Sequence, residues 1–217
     1  MGIINTVLDL LYPPKCVFCG RILDSSGYAV CDGCDEKIDT PHGREVHLKG
    51  NFISDGVAPL YYEDLVRESI LRYKFNGKSG YAKTYAEIMA KCIESELYEE
   101  FDILTWVPVS RKRLRKRGYD QAELLAEGIG KCLGISAVPT IRKTVNNPPQ
   151  SGIKDAERRR ANVLGAYEII DKKLIENRKI LIVDDIFTTG ATISECAKTL
   201  LLGGADVILC AAIAKTR

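Results

Sequence analysis

The sequence predicts an α/β protein with a mostly parallel central sheet flanked by helices, preceded by a small metal-binding module. Two observations support this fold class. Downstream of about Gly50, apolar runs rich in β-branched residues alternate with amphipathic helical stretches. Upstream, four of the eight cysteines lie within the first 34 residues. We therefore expect a metal module over residues 1–50 and an α/β domain over residues 54–217.

The composition is that of an ordinary soluble globular protein. Hydrophobic residues make up 46% of the 217 residues and charged residues 28%, which excludes a disordered chain. No apolar run approaches the roughly 18 residues needed to span a bilayer. The opening MGIINTVLDLLYPP lacks the basic residues and cleavage site of a secretion signal, so we expect a cytoplasmic protein. The net charge of +2 means that a nucleic-acid partner would need a local basic patch.

The four N-terminal cysteines form two CxxC pairs with the spacing of a zinc site. The ligand candidates are Cys16, Cys19, Cys31 and Cys34. Each pair can present two thiolates from a tight turn, and four thiolates give a closed tetrahedral shell that suits structural zinc. A redox CxxC or simple buried cysteines are the alternatives, which the paired spacing disfavours. We predict a zinc-ribbon or treble-clef-like module.

The α/β domain is predicted to run through the following elements. Strands are expected near 54–61, 103–109, 136–142, 164–170, 179–185 and 206–213. Helices are expected near 63–73, 79–99, 119–132 and 191–202, with a basic loop before the third. The polar stretch from Thr144 to Asn162 is long for a loop in a compact domain, and such loops are usually functional lids or disordered.

The strongest motif is an acidic pair that follows a buried strand. After the apolar run 180–183 come Asp184 and Asp185, and then a Thr- and Gly-rich turn, 188–192, that opens a helix. Ligands bind at the carboxyl ends of strands in such sheets, and amides at a helix N-terminus bind anions. Carboxylates beside an anion site suit a ligand with both a phosphate and a diol, such as a sugar phosphate. A plain helix cap explains only one residue, and too few residues follow Asp185 for a phosphoacceptor receiver domain.

A second motif is a basic run directly after the strand predicted at 103–109. Six of seven residues are positive: Arg111, Lys112, Arg113, Arg115, Lys116 and Arg117. Charge runs usually form a solvated face. Because this run borders the expected pocket, diphosphate and nucleic-acid phosphate are both candidate partners. Tyr73, Phe75 and Tyr119 add aromatic rings beside positive charge, and these rings either stack on single-stranded nucleic acid or pack a helix on the sheet.

The motifs also carry a family resemblance. VDDIFTTGAT resembles the signature with which type I phosphoribosyltransferases bind 5-phosphoribosyl 1-pyrophosphate (PRPP). Together with CVFCG…CDGC, RYKFNGK, VPVSRKRLRKRGYDQAELLA and RKTVNNPPQSGIKDAERRRANVLGAY, the chain resembles the ComF family of competence-associated proteins over essentially its whole length. Asp120 stands where that family usually has Asn.

The resemblance implies a type I phosphoribosyltransferase-like fold and a set of PRPP-binding residues. Asp184 and Asp185 would hold the ribose 2′ and 3′ hydroxyls, with Asp185 also a candidate general base. Magnesium would bridge the pyrophosphate and the sugar hydroxyls. Ser110 and Arg111 would form the pyrophosphate loop. The 5′-phosphate would be wrapped by Thr188, Thr189, Gly190, Ala191 and Thr192. The segment 144–162 would act as a lid, bringing Arg158, Arg159 and Arg160 to the diphosphate.

The resemblance also implies a role in handling incoming single-stranded DNA during transformation, near a DNA-uptake helicase and the import channel. Two alternatives stay open at this stage. One is a metabolically active phosphoribosyltransferase, whose acceptor the sequence does not name. The other is a non-enzymatic PRPP-sensing module whose basic face binds DNA.

Overall fold

The computed structural model describes residues 15–23, 30–97, 99–145 and 164–217. The strands are β1 (Asp55–Val57), β2 (Leu60–Tyr61), β3 (Ile103–Trp106), β4 (Ile141–Lys143), β5 (Tyr167–Ile169), β6 (Lys179–Phe187) and β7 (Val207–Lys215). The helices are α1 (Asp32–Asp35), α2 (Asp64–Phe75), α3 (Tyr81–Glu96), α4 (Arg111–Arg117), α5 (Gln121–Leu133), α6 (Lys172–Ile175) and α7 (Ala191–Leu202), with a 3₁₀ turn at Gly43–Glu45.

The main sheet is parallel throughout its described strands. Its order is β1–β7–β6–β3, and β2 pairs with the far end of β7. The mostly parallel α/β fold predicted from the alternating pattern is therefore confirmed. Because β3, β6 and β7 point the same way, their carboxyl ends meet at one edge of the sheet, which is the edge where open α/β sheets bind ligands.

The strands β6 and β7 form the middle of the sheet. Their runs are apolar because helices cover both faces of the sheet. Leu181 and Val183 pack with Ile70, Tyr85 and Ile129 of α2, α3 and α5. The alternate residues of β6 face the other layer. There, Ile180 and Ile182 pack with Ile193, Cys196 and Leu200 of α7. Burial on both faces explains why these strands have continuous apolar runs and no polar alternation.

The basic run does not form the loop that the sequence predicted. Residues Arg111–Arg117 form the helix α4. Ser110 caps it by accepting a hydrogen bond from the Arg113 amide, and Gly118 ends it in the left-handed conformation at φ 83°. Arg, Lys and Leu are good helix formers, and basic side chains near the C-terminus of a helix interact favourably with its dipole.

The strands predicted at 136–142 and 164–170 are shorter and lie outside the main sheet. They appear as β4 and β5, which pair antiparallel with each other. In the first of these segments, only Ala137 bridges to the main sheet, at Leu104. The apolar spacing of the sequence predicts Cys132 as a small core residue, but this cysteine is exposed near the end of α5. Most of the predicted lid, including Arg158, Arg159 and Arg160, lies outside the described residues.

The first cysteine knuckle, the turn formed by residues 16–19, packs directly on the α/β domain. Val17 and Phe18 are each only 2% exposed, and the ring of Phe18 meets that of Tyr85 edge-on. Arg72 of α2 donates hydrogen bonds to the carbonyls of Phe18, at 2.5 Å, and Val17, at 3.2 Å. The Ser69 hydroxyl also donates to the Val17 carbonyl. The backbone of the knuckle is thus anchored to α2.

Among the described helices, none combines the length and apolarity needed to cross a bilayer.

Candidate functional site

A cavity of about 460 Å³ opens at the carboxyl edge of the sheet. Its walls come from α2, the loop after β3, α4, the start of α5, the β4–β5 pair, the end of β6 and the start of α7. The predicted acidic pair and most of the predicted Thr- and Gly-rich turn line it. The residues contributed by these last two segments are Asp184, Asp185, Ile186, Phe187, Thr188, Gly190, Ala191, Thr192 and Ile193.

The acidic pair is held in place by its own backbone and by a lysine. The Asp185 amide donates a hydrogen bond to Asp184 Oδ1 at 2.8 Å. Lys74 Nζ lies 2.9 Å from Asp185 Oδ1, and both of these side chains are only 16% exposed. Burial, reinforced by the negative charge of Asp185, raises the pKa of Asp184 to about 8. At neutral pH the pair therefore carries less than two negative charges.

Five basic side chains line the cavity from elements that the phosphate motif does not include, and two of them are Arg67 and Arg117. Lys74 comes from α2, Arg113 from α4 and Lys143 from β4. Burial, and next the charge of a neighbouring arginine, lower the pKa of both Lys143 and Arg113. Lys143 Nζ also donates to the Tyr167 hydroxyl at 3.2 Å. Positive groups partly removed from water favour an anionic ligand, since such a ligand would offset their mutual repulsion.

The turn between β6 and α7 has the form of an anion site. Gly190 adopts φ 67° immediately before α7, and a Cβ at this position would come within 2.6 Å of the Phe187 ring. Only glycine fits there without strain. The Thr189 hydroxyl is buried and makes no hydrogen bond to a described residue. The N-terminus of the 12-residue helix α7 therefore meets the cavity, whose lining includes Thr188 and Gly190 but not Thr189.

The loop after β3 is tied to α5 by a buried carboxylate. Asp120 Oδ2 accepts the Val109 amide at 2.8 Å, while Oδ1 caps α5 by accepting the Ala122 amide at 3.0 Å. Burial raises the pKa of Asp120 to about 6. The residues of this loop that line the cavity are Val107, Pro108 and Val109. The two residues expected to form the pyrophosphate loop lie further along, with Ser110 buried as the cap of α4 and Arg111 exposed.

The basic helix α4 has two faces. Arg113 and Arg117, one helical turn apart, are partly buried and line the cavity. The others, Arg111, Lys112, Arg115 and Lys116, are exposed. The sequence left diphosphate and nucleic acid open as partners of this run, and the helix presents some of its basic side chains to the cavity and the others to solvent.

The four cysteines meet the geometric requirement of a metal site. One sulfur from each of Cys16, Cys19, Cys31 and Cys34 lies within 4.8 Å of the others. A hydrogen bond from the backbone of Arg21 lowers the pKa of Cys19 to about 7, which favours the thiolate that metals bind. Tetrahedral zinc, with Zn–S bonds of about 2.3 Å, places its sulfurs about 3.8 Å apart, which lies within this limit. The set therefore fits structural zinc.

Fold and site together define a protein with an N-terminal zinc ribbon and a parallel α/β domain whose cavity is lined by an acidic pair, basic side chains and the N-terminus of α7. The family model of the double zinc ribbon domain matches residues 7–45. The chain is 30% identical to competence protein ComFC of Bacillus subtilis (strain 168), over 87% of this chain and 72% of that protein. It belongs to the ComF family of competence proteins.

Further similarities extend to proteins of other bacteria and to solved structures. Competence protein F of Haemophilus influenzae is 25% identical, over 89% of this chain and 93% of that protein. The DNA utilization protein YhgH of Escherichia coli (strain K12) is 31% identical, over 49% of this chain and 46% of that protein. Adenine phosphoribosyltransferase from Thermoanaerobacter pseudethanolicus aligns over 64% of this chain and 82% of that chain, with a TM-score of 0.40 and 20% identity.

Several residues that line the cavity were not among the predicted site residues. Lys74, Gln121, Lys143 and Tyr167 reach it from elements far apart in sequence. A signal existed for each, because all four lie in segments on which the family resemblance rests: RYKFNGK, VPVSRKRLRKRGYDQAELLA and RKTVNNPPQSGIKDAERRRANVLGAY. Their local pattern alone does not distinguish them from ordinary helix and strand residues.

Proposed function

We propose that the chain binds PRPP together with Mg²⁺ in the cavity at the carboxyl edge of the sheet, and that it acts on DNA taken up during transformation. One observation carries the proposal of PRPP binding: the acidic pair, Asp184 and Asp185, and the N-terminus of α7 line the same cavity. A ligand that uses both must carry a phosphate and neighbouring hydroxyls, and PRPP has both groups.

The proposed roles follow from the charges around the cavity. Asp184 and Asp185 accept hydrogen bonds from the ribose hydroxyls. The backbone amides and hydroxyls of residues 188–192 surround the 5′-phosphate. Arg113 and Lys143, which line the same cavity, would supply positive charge to the pyrophosphate.

Magnesium fits this site because carboxylate and phosphate oxygens are its preferred ligands. When bound, it neutralises charge on the pyrophosphate leaving group. Asp184, Asp185 and the phosphates of PRPP are the groups that would hold it.

The DNA-related part of the proposal is supported by the relatives' names and by α4. Relatives are named as competence proteins and as a DNA utilization protein. The exposed basic side chains of α4 form a surface suited to the phosphates of a single strand. We propose that this surface binds single-stranded DNA on the cytoplasmic side of the membrane, close to a DNA-uptake helicase and the import channel.

Thermal unfolding with increasing Mg–PRPP tests the binding proposal. A ligand that binds only the folded state stabilises it by about 2.7 kcal/mol at 100 times its dissociation constant. We expect a concentration-dependent rise in Tm for the wild type and a much smaller rise for Asp185→Asn. The matched control is Asp206→Asn, an exposed carboxylate just before β7, at the opposite edge of the sheet. An unchanged wild-type Tm would refute the proposal.

A second measurement separates a transferase from a PRPP sensor. A phosphoribosyltransferase releases pyrophosphate from Mg–PRPP when its acceptor is present, whereas a sensor binds PRPP and leaves it intact. Pyrophosphate release in the presence of nucleobases, amines or single-stranded DNA would establish the transferase. Asp185 is the proposed general base, so Asp185→Asn should reduce that release.

A further inference from the structure

An exposed aromatic ring lies at the C-terminal end of α2, on the wall of the cavity. Phe75 keeps 54% of its surface exposed. Arg67, Leu71 and Phe75, spaced four residues apart, also line the cavity, as does Tyr62. This part of the wall is therefore aromatic and apolar, with a cation beside it. A sugar phosphate has no group that matches such a surface.

A guanidinium is fixed over this ring. The Arg117 guanidinium carbon lies 4.8 Å from the centroid of Phe75, and Arg117 Nη1 donates a 2.6 Å hydrogen bond to Gln121 Oε1. Two contacts thus hold one flexible side chain in position. A guanidinium paired with an aromatic ring is a combination on which nucleic-acid bases stack.

The amide beside this pair has one unused donor. Gln121 is only 1% exposed, and its Nε2 has no hydrogen-bond partner among the described residues. Gln121 also lines the cavity. Buried amide donors are nearly always paired, so an unpaired one at a cavity wall indicates a ligand that supplies an acceptor.

The wall that carries these groups is held rigid by two tyrosines. The Tyr73 hydroxyl donates to the Gln121 carbonyl at 2.8 Å, and the Tyr119 hydroxyl donates to the Tyr73 carbonyl. Tyr73 itself is fully buried. These hydrogen bonds join α2, Tyr119 and the start of α5. The Phe75 ring, the Arg117 guanidinium and the Gln121 amide are therefore positioned before any ligand binds.

We propose that Phe75, Arg117 and Gln121 form a subsite for a planar heteroaromatic base. The base stacks against the Phe75–Arg117 pair and accepts a hydrogen bond from Gln121 Nε2 through a carbonyl oxygen or ring nitrogen. The inference rests on the proposed function, since it places the base in the same cavity as Mg–PRPP. The base can belong to a free nucleobase or nucleoside, or to a DNA strand threaded into the cavity.

The test measures base binding without PRPP, so that its failure is distinguishable from a failure of PRPP binding, which the wild-type Tm reports. Fluorescence anisotropy compares a labelled oligothymidylate with an abasic strand of equal length and charge. Isothermal titration with thymidine covers the free nucleoside. The variants are Phe75→Ala, Gln121→Glu, which keeps the shape and the acceptor for Arg117 but removes the donor, and Phe52→Ala as the control. Phe52 is 51% exposed and does not line the cavity.

We expect the wild type to bind either the oligothymidylate or thymidine through this subsite. If the strand supplies the base, the wild type prefers oligothymidylate over the abasic strand by about fivefold or more, and Phe75→Ala loses this preference. If the source is a free nucleoside, thymidine binds, and Phe75→Ala and Gln121→Glu weaken it. In both cases Phe52→Ala behaves as the wild type. Equal affinity for the two strands together with no thymidine binding would overturn the proposal, as would a preference that survives in Phe75→Ala.

Discussion

Lys74 Nζ lies 2.9 Å from Asp185 Oδ1, and this ion pair joins α2 to the carboxyl end of β6. The same helix binds the cysteine knuckle, because Arg72 donates to the Phe18 carbonyl two residues before Lys74. One helix therefore contacts the metal module through one side chain and the acidic pair through another. The integrity of the candidate site depends on how α2 is held.

Breaking the ion pair should destabilise the protein. In Lys74→Met, the largely buried Asp185 side chain loses its ion-pair partner, so we expect the free energy of unfolding to fall by about 1–3 kcal/mol. Urea denaturation followed by circular dichroism measures this change. The control is Arg142→Met, which breaks the exposed Arg142–Glu168 pair and should cost less than about 1 kcal/mol. Equal effects of the two variants would show that Lys74 contributes no more than a surface charge.

PRPP binding should strengthen as the pH rises. The raised pKa of Asp184, about 8, means that this carboxyl is mostly protonated at neutral pH, and hydroxyl groups of the ribose donate to the ionised form. From about pH 7 to about pH 9 the ionised fraction rises about tenfold, so the dissociation constant should fall by about that factor. Titration calorimetry at several pH values measures it. Asp184→Asn should bind weakly with a flat profile, and an equally steep profile in that variant would assign the dependence to other groups.

Metal content should depend on the four cysteines of the knuckles. We expect the wild type to hold zinc, and Cys16→Ser to lose it because three thiolates leave the tetrahedral shell open. The variant should also expose Phe18, whose burial depends on the knuckle. Elemental analysis of the purified proteins gives the metal content. Cys132→Ser, at an exposed cysteine outside the cluster, should retain all of the zinc. Full zinc in Cys16→Ser would exclude this ligand set.

The two faces of α4 should separate DNA binding from PRPP binding. Replacing Arg111, Lys112, Arg115 and Lys116 by Gln removes exposed charge, so the affinity for single-stranded DNA should fall less steeply with salt. The slope of log K against log salt should shrink by about 0.7 for each DNA phosphate that the helix no longer neutralises. Arg113→Gln, on the cavity face, should instead weaken Mg–PRPP binding. A salt slope that the fourfold replacement leaves unchanged would exclude the exposed face of α4 as the DNA-binding surface.

Much of the fold could be predicted because the signals are local. The apolar run before Asp184, the glycine at 190 and the helical spacing after it placed β6 and α7 closely. The charges of the basic run favour a loop, whereas its two ends carry helix signals: Ser110 is a cap and Gly118 a stop, and both are visible in the sequence.

The candidate site was predictable only where it is contiguous. Asp184, Asp185 and the turn after them lie together in sequence, so one motif indicates them. Lys74 and Gln121 come near them only after α2 and α5 pack on the sheet, and this packing depends on long-range interactions that no local pattern encodes. The short length of β4 has a similar cause, because β4 pairs with β5 and not with the main sheet.

The most direct test of the acidic pair is the equilibrium binding of radiolabelled PRPP with Mg²⁺. It is measured for the wild type and for Asp185→Asn. We predict one equivalent of PRPP per chain for the wild type, and at least about tenfold weaker binding for the variant, since it loses a charge-assisted hydrogen bond. Removing Mg²⁺ should weaken the wild type as well. Failure of the wild type to bind PRPP, or equal binding by Asp185→Asn, would contradict the assignment of the acidic pair.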